Sequence, residues 1–288
     1  MTDYNILDNE NIEVRGDKVK YISFKRYNDI PFIKNCFSTR HGGVSKEHLS
    51  SMNLGFNRGD DIENVIENYR HLFNECGFTL DNVIMSDQVH ETHIQVIDES
   101  VLDKYNNCEF YQRKLEATDG MVTNLKNVPL VTYYADCVPL YFVDTNKKAI
   151  GLSHSGWRGT VGLMGLKTIN KMIEEYGTDV KDLICAVGPS ICQSCYEVSK
   201  EVIDNLLDSF NRNEIEIEDE HKLFYATKED KFQLNLWEAN RLIIKKAGVP
   251  SENIIISQNC TCCNHSLLYS HRASNGNRGN LVAVLEII

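Results

Sequence analysis

Three apolar runs follow one another closely in the middle of the chain: Leu130–Tyr134, Leu140–Asp144 and Ala149–His154. Each is apolar almost throughout and does not alternate with polar residues, so both of its faces must be covered. β-rich runs of similar character lie at Tyr21–Phe24, Ile33–Ser38, Val83–Asp87, Ile94–Asp98, Ile184–Gly188, Ile254–Ser257 and Leu281–Ile287. Helical periodicity marks Ile62–Cys76, Val161–Tyr176, Val198–Phe210 and Leu236–Ala247; Asp60 and Asp61 stand near the start of the first and Gly248 follows the last. Strands interleaved with helices over the whole length predict one layered α/β unit with a mixed sheet, residues 1–288 forming a single domain. There is no internal repeat and no flexible linker, and the one biased stretch, the acidic residues 213–220, reads as a solvated loop or edge.

A chain of 288 residues buries roughly three quarters of its unfolded surface, so it needs no metal merely to stay folded, and a metal in it is expected to serve chemistry. The net charge of −11 argues against a nucleic-acid partner, because phosphate-backbone affinity depends on clustered Lys and Arg. The start, Met1-Thr2-Asp3-Tyr4, has neither the basic nor the apolar region of an export signal, and no apolar run approaches a membrane span. Ten cysteines in such a chain read as thiols in a reducing compartment, and the expected location is cytoplasmic.

Chemistry-bearing residues gather where strands end. The run from Ala149 leads through His154 into Ser155-Gly156-Trp157-Arg158-Gly159, a turn opening a helix, where backbone N–H groups and the Arg158 fork could hold an anion. The plainer alternative is a surface turn capped by Trp157. Asp136-Cys137 interrupts two apolar runs ahead of Pro139, which places Cys137 at a break in the ladder. A third break holds His90 and His93; their spacing is one residue short of the zinc-protease helix and their flanks are β-like, which excludes that motif. Taken singly, a His or Cys at a strand end is more often a packed residue than a ligand. Together, His90, Cys137 and His154 form an acceptable N/N/S zinc set, from strand ends that one sheet could bring to a single edge, and leave a fourth position open.

Seven blocks occur in the order found in the YfiH-like, laccase-domain family, and from about Ile33 to the C-terminus the chain resembles it. They are residues 38–45 (Ser-Thr-Arg-His-Gly-Gly-Val-Ser), Asn53-Leu54-Gly55, Gln88-Val89-His90, residues 118–123 (Thr-Asp-Gly-Met-Val-Thr), Ala135-Asp136-Cys137, residues 154–159 (His-Ser-Gly-Trp-Arg-Gly) and residues 187–191 (Val-Gly-Pro-Ser-Ile). The resemblance implies an α/β/α sandwich and a zinc ion on His90, Cys137 and His154. It also implies purine nucleoside phosphorylase activity toward adenosine, inosine and methylthioadenosine, with adenosine deaminase activity beside it. The partners are then purine nucleosides and phosphate, with no nucleic acid and no membrane, in a monomer or homodimer. One departure stands out: where the family has a Cys-Thr block and Ser-Tyr-Arg-Arg, this chain has Cys260-Thr261-Cys262-Cys263 and Ser270-His271-Arg272-Ala273.

Phosphorolysis needs positioned cations, for which Arg40, Arg58 and Arg158 are the candidates. Asp136 could shuttle protons in deamination or orient a histidine ligand, and Asn53 and Gln88 could bind ribose or base, or simply satisfy turn backbone. Three rivals stand beside this reading: a cysteine hydrolase using Cys137 with His154, a copper polyphenol oxidase, and a nucleoside-binding or metal-storing protein. Copper is the second choice of metal because the closely spaced His-x-His sets of a laccase are missing. Cys192-x-x-Cys195 with Cys260-x-Cys262-Cys263 could make a separate structural zinc, but the unusual second spacing favours free thiols.

Overall fold

In the computed structural model, which describes residues 4–288, the strands divide between two large sheets and one small one. Met1-Thr2-Asp3, part of the start on which the expectation of no export signal rests, lies outside the described residues. The first sheet has seven strands in the order Ile12–Arg15, Tyr21–Phe24, Ile33–Ser38, Leu281–Ile287, Leu130–Tyr134, Ile84–Ser86 and Lys114–Leu115. The second has six, in the order Ile254–Ile256, Leu183–Val187, Val138–Asp144, Ala149–Ser155, Gly120–Thr123 and Ile94–Val96. Parallel and antiparallel pairs occur in both, so the α/β class and mixed pairing expected from the sequence are present. The layering is finer than one sheet between helices, because two sheets lie between the helical layers.

Period-two alternation accounts for this. Along Leu281–Ile287, the side chains of Leu281, Ala283 and Leu285 join Tyr141, Val143, Ile150 and Leu152 of the other sheet in one buried cluster. Val282 and Val284 point the opposite way, against Val65, Tyr69, Leu72 and Phe73 of helix Ile62–Cys76. That helix starts at Asp61, whose side chain accepts from Glu63 N–H, and stops at Gly77 in the left-handed conformation. Leu140 and Phe142 of the second sheet face helices Met164–Tyr176 and Leu236–Lys246. The two apolar faces of each central strand thus meet a sheet on one side and a helix on the other.

Three times the chain steps from the first sheet to the second: after Ile84–Ser86, after Lys114–Leu115 and after Leu130–Tyr134. These crossings lie near one another and build the site described below. A small sheet of Glu197–Ser199, Lys231–Leu234 and Phe224–Lys228 accompanies the helices, and no helix among the described residues is long and apolar enough to cross a membrane.

Candidate metal centre and its cavity

His90 lies on the first crossing, Asp119 at the end of the second and Cys137 on the third, while His154 is near the end of strand Ala149–Ser155. His154 shares the strand face of Ile150 and Leu152, so it points into the seam between the sheets. The ligand atoms of His90, Cys137 and His154 all lie within 4.8 Å of one another, and the two imidazole rings meet edge to face at 4.8 Å. The three residues expected from the sequence are therefore brought together, although they arrive from junctions between two sheets and not along the edge of one.

One carboxylate organises both histidines. Asp119 is fully buried; its Oδ1 lies 2.8 Å from His154 Nδ1 and accepts from His90 N–H at 3.0 Å. Its Oδ2 accepts the N–H groups of Val89 and Glu91, each at 3.1 Å. Three successive N–H groups can converge on one acceptor because His90 adopts a left-handed backbone, φ 65°. With Nδ1 held by Asp119, the remaining ring nitrogen of His154, Nε2, is the one available to a metal. Burial alone would raise the Asp119 pKa, but the hydrogen bond and charge of His154 and the N–H donors hold it below the usual carboxylate range.

Burial would likewise push the Cys137 thiol up, yet the charge and hydrogen bonds of His154 and His90 outweigh it and bring it down to about 6. Burial works against protonation of His154, and the neighbouring Cys137 and Asp119 carry it up to about 9. The site thus favours the thiolate, the form of cysteine that ligates metals. Gly156 leaves the room: a Cβ there would sit 3.1 Å from Cys137 Sγ and 3.6 Å from His90 Cδ2.

The triad opens into a cavity of about 550 Å³, within the range of small-molecule sites. Aromatic side chains, among them Phe56, Tyr133, Trp157 and Tyr196, form part of its wall, and Arg58, Arg158, Arg272 and Arg278 supply positive charge. Arg58 Nε and Arg278 Nε are buried without a hydrogen-bond partner. Burial, and then the charge of Arg58, push Arg278 down to about 10.

Residues 34–288 match the family described as multi-copper polyphenol oxidoreductase laccase. The chain belongs to this laccase-domain family. It is 33% identical over 249 residues, 86% of each chain, to the purine nucleoside phosphorylase YlmD of Bacillus subtilis strain 168. It is 35% identical over 245 residues, 84% of this chain and 90% of the relative, to the adenosine deaminase RL5 of an unknown prokaryotic organism. Its fold matches the crystal structure of the hypothetical protein YfiH of Bacillus licheniformis with a TM-score of 0.87 at 28% identity, covering 97% of this chain and all of the other. Like the phosphorylase and the deaminase, it is an enzyme.

In this laccase-domain chain the other residues singled out from the sequence take different places. Arg58, Arg158 and Gln88 line the cavity, with the Arg158 guanidinium 4.4 Å over the Trp157 ring. Gln88 is also tied to the next strand, donating to Tyr133 O at 3.0 Å and accepting from Tyr133 N at 2.6 Å. Arg40 is not brought to the cavity: it donates to Ser50 O and His265 O and lies over Tyr269. Asn53 is not exposed to it either, being buried and bonded to Asp60 Oδ2 and, through Oδ1, to the N–H groups of Gly55 and Asn280. Asp136 lines the cavity, but its carboxylate accepts from Thr261 Oγ1 at 2.6 Å and from Arg272 N–H at 2.7 Å. The histidine-orienting role considered for Asp136 falls to Asp119 instead. Arg272, Arg278 and Tyr196 also line the cavity and were not expected from the sequence; the two arginines lie in the tail that departs from the family pattern at 270–273.

Proposed function

We propose that this protein is a zinc-dependent purine nucleoside phosphorylase, cleaving adenosine, inosine or methylthioadenosine with phosphate, and that the same cavity deaminates adenosine. The observation that carries the reading is an open N/N/S ligand set facing a cavity with both arginines and aromatic rings in its wall. Zinc on His90, Cys137 and His154 would supply a Lewis acid and an open position for water or substrate. The chain's own groups do the rest. Arg58 and Arg278, lacking protein partners for Nε, suit a phosphate held against the ribose, and the guanidinium charges stabilise its transition state. Tyr133, Trp157 or Tyr196 can stack on a purine. Asp119 holds His154 in one tautomer.

Zinc is favoured over the copper of the family description because the triad supplies one open site; among the described residues the other ligand cluster is made only of cysteines. The test is to incubate zinc-loaded protein with adenosine and phosphate and separate the products. Adenine with ribose 1-phosphate is expected, and inosine where deamination runs; products unchanged in Cys137→Ala would remove the site from the reaction.

A second reading has one specific support: Asp119, His154 and Cys137 also form the chain of contacts of a cysteine hydrolase. Ligation and nucleophilicity compete for the same sulfur. Iodoacetamide inactivation equally fast with and without bound zinc would favour the hydrolase.

A further inference from the structure

We infer that Cys192, Cys195, Cys260 and Cys263 form a second, structural zinc site, separate from the cavity. The four thiols all lie within 4.8 Å of one another, although 64 residues separate the two pairs. Cys263 Sγ stands 3.4 Å from Cys195 Sγ and 3.9 Å from Cys192 Sγ. Zinc–sulfur bonds of about 2.3 Å in a tetrahedron set sulfur–sulfur edges of about 3.8 Å, whereas a disulfide requires about 2.05 Å. A cage this tight has room for a single ion and not for an iron–sulfur cluster.

The structure also resolves the spacing that told against such a site. The second half is Cys260-x-x-Cys263, the same pair spacing as Cys192-x-x-Cys195, and Cys262 stands outside the group. Each pair closes a tight turn: Cys195 N–H donates to Cys192 O at 3.1 Å, and Cys263 N–H to Cys260 Sγ at 3.3 Å. Cys260 Sγ accepts a second backbone donor, Cys192 N–H, at 3.2 Å. Such N–H contacts disperse the charge of a ligating thiolate. Backbone bonds clip the two loops together, Ser190 N–H to Asn259 O and Thr261 N–H to Ser190 O. The ligand positions are thus fixed by the fold. None of the four cysteines lines the cavity.

The site braces that cavity from behind. Tyr196 of the cavity wall directly follows Cys195, and Arg272 donates to the carbonyls of Cys195 and Glu197, both at 3.0 Å. A metal on the four thiols would pin the segment that carries Tyr196 to the tail that carries Arg272.

Metal content and local structure around the metal test this in the full chain. Wild type is expected to hold two zinc ions, Cys137→Ala one, and Cys195→Ser with Cys263→Ser one, while Cys262→Ser keeps both. X-ray absorption of Cys137→Ala should show four sulfur neighbours at about 2.3 Å. If the doubly substituted variant does not fold, this spectrum answers alone. Cys137→Ala without zinc, with nitrogen or oxygen around the zinc, or with iron in its place overturns the inference, as does a mass two hydrogens low without metal. Wild type with a single zinc that persists in Cys137→Ala keeps the structural site and defeats the catalytic one.

Discussion

Asp119 and His154 are joined by a 2.8 Å contact in the seam between the two sheets, and both are sealed from solvent. The carboxylate that fixes the ring of His154 also gathers the backbone of the His90 loop. One residue therefore sets two of the three ligands. Asp119→Asn keeps the size but removes the charge and places an amide where N–H donors converge. Zinc affinity at the triad is expected to fall about 10- to 100-fold, read by chelator competition in the Cys195→Ser, Cys263→Ser background. Unaltered affinity would show that the histidines need no such support.

Gly156 bears on the same site by what it lacks. Its backbone, φ −73° and ψ −174°, suits any residue, so alanine brings no backbone strain there. The new methyl would press on Cys137 Sγ at 3.1 Å. Gly156→Ala should weaken zinc binding about tenfold, near 1.4 kcal/mol, with the melting temperature of the chelated protein unchanged. An equal loss of stability with and without metal would point to the fold instead.

The parts of this molecule legible in its sequence are those set by local pattern. Ile33–Ser38, Leu130–Tyr134, Leu281–Ile287 and helix Ile62–Cys76 have the bounds that their apolar pattern predicts, because turn residues end the strands and Asp61 and Gly77 cap the helix. Ile12–Arg15 escaped because only Ile12 of its four residues is buried, and Phe224–Lys228 with Lys231–Leu234 because only Phe224 and Leu234 of the two strands are buried. Breaks in the strands marked the three ligands. Their partner Asp119 was not legible as such: an aspartate before a glycine is an ordinary turn residue until the second crossing places it behind His154. The arginines of the tail, far from the ligands along the chain, reach the cavity only through tertiary packing.

Arg278 tests the anion side of the cavity. Its Nε has no protein partner, and its charge faces that of Arg58 in a half-buried setting, an arrangement that a bound dianion would relieve. Arg278→Met should raise KM for phosphate about 10- to 100-fold, the loss of one charge-assisted hydrogen bond, without lowering the melting temperature. Phosphate at 100 times its dissociation constant should stabilise wild type by about 2.7 kcal/mol and Arg278→Met by clearly less. Equal phosphate protection of both proteins would place the anion elsewhere.

Glu286 gives the fold a pH dependence of its own. It is 2% exposed in the central strand of the first sheet, and its Oε2 has no hydrogen-bond partner. Burial pushes its carboxyl up to about 7, against the pull of Lys34 directly across the strand pair, whose ammonium donates to Gly77 O. A carboxyl raised on folding contributes stability that is fully present below its ordinary value of 4.5 and is lost as pH rises through about 7. Above that pH the fold must hold a buried charge or give up a proton-linked contribution on the order of 2 kcal/mol. Glu286→Gln keeps the shape and removes the titration. Denaturant unfolding from pH 5 to pH 8 should show the variant gaining on wild type as pH rises, with most of the gain between pH 5 and 7, where the unfolded chain has lost the proton and the folded one still holds it. A difference that stays constant over this range would mean that Glu286 is ionised throughout and that Lys34 outweighs burial.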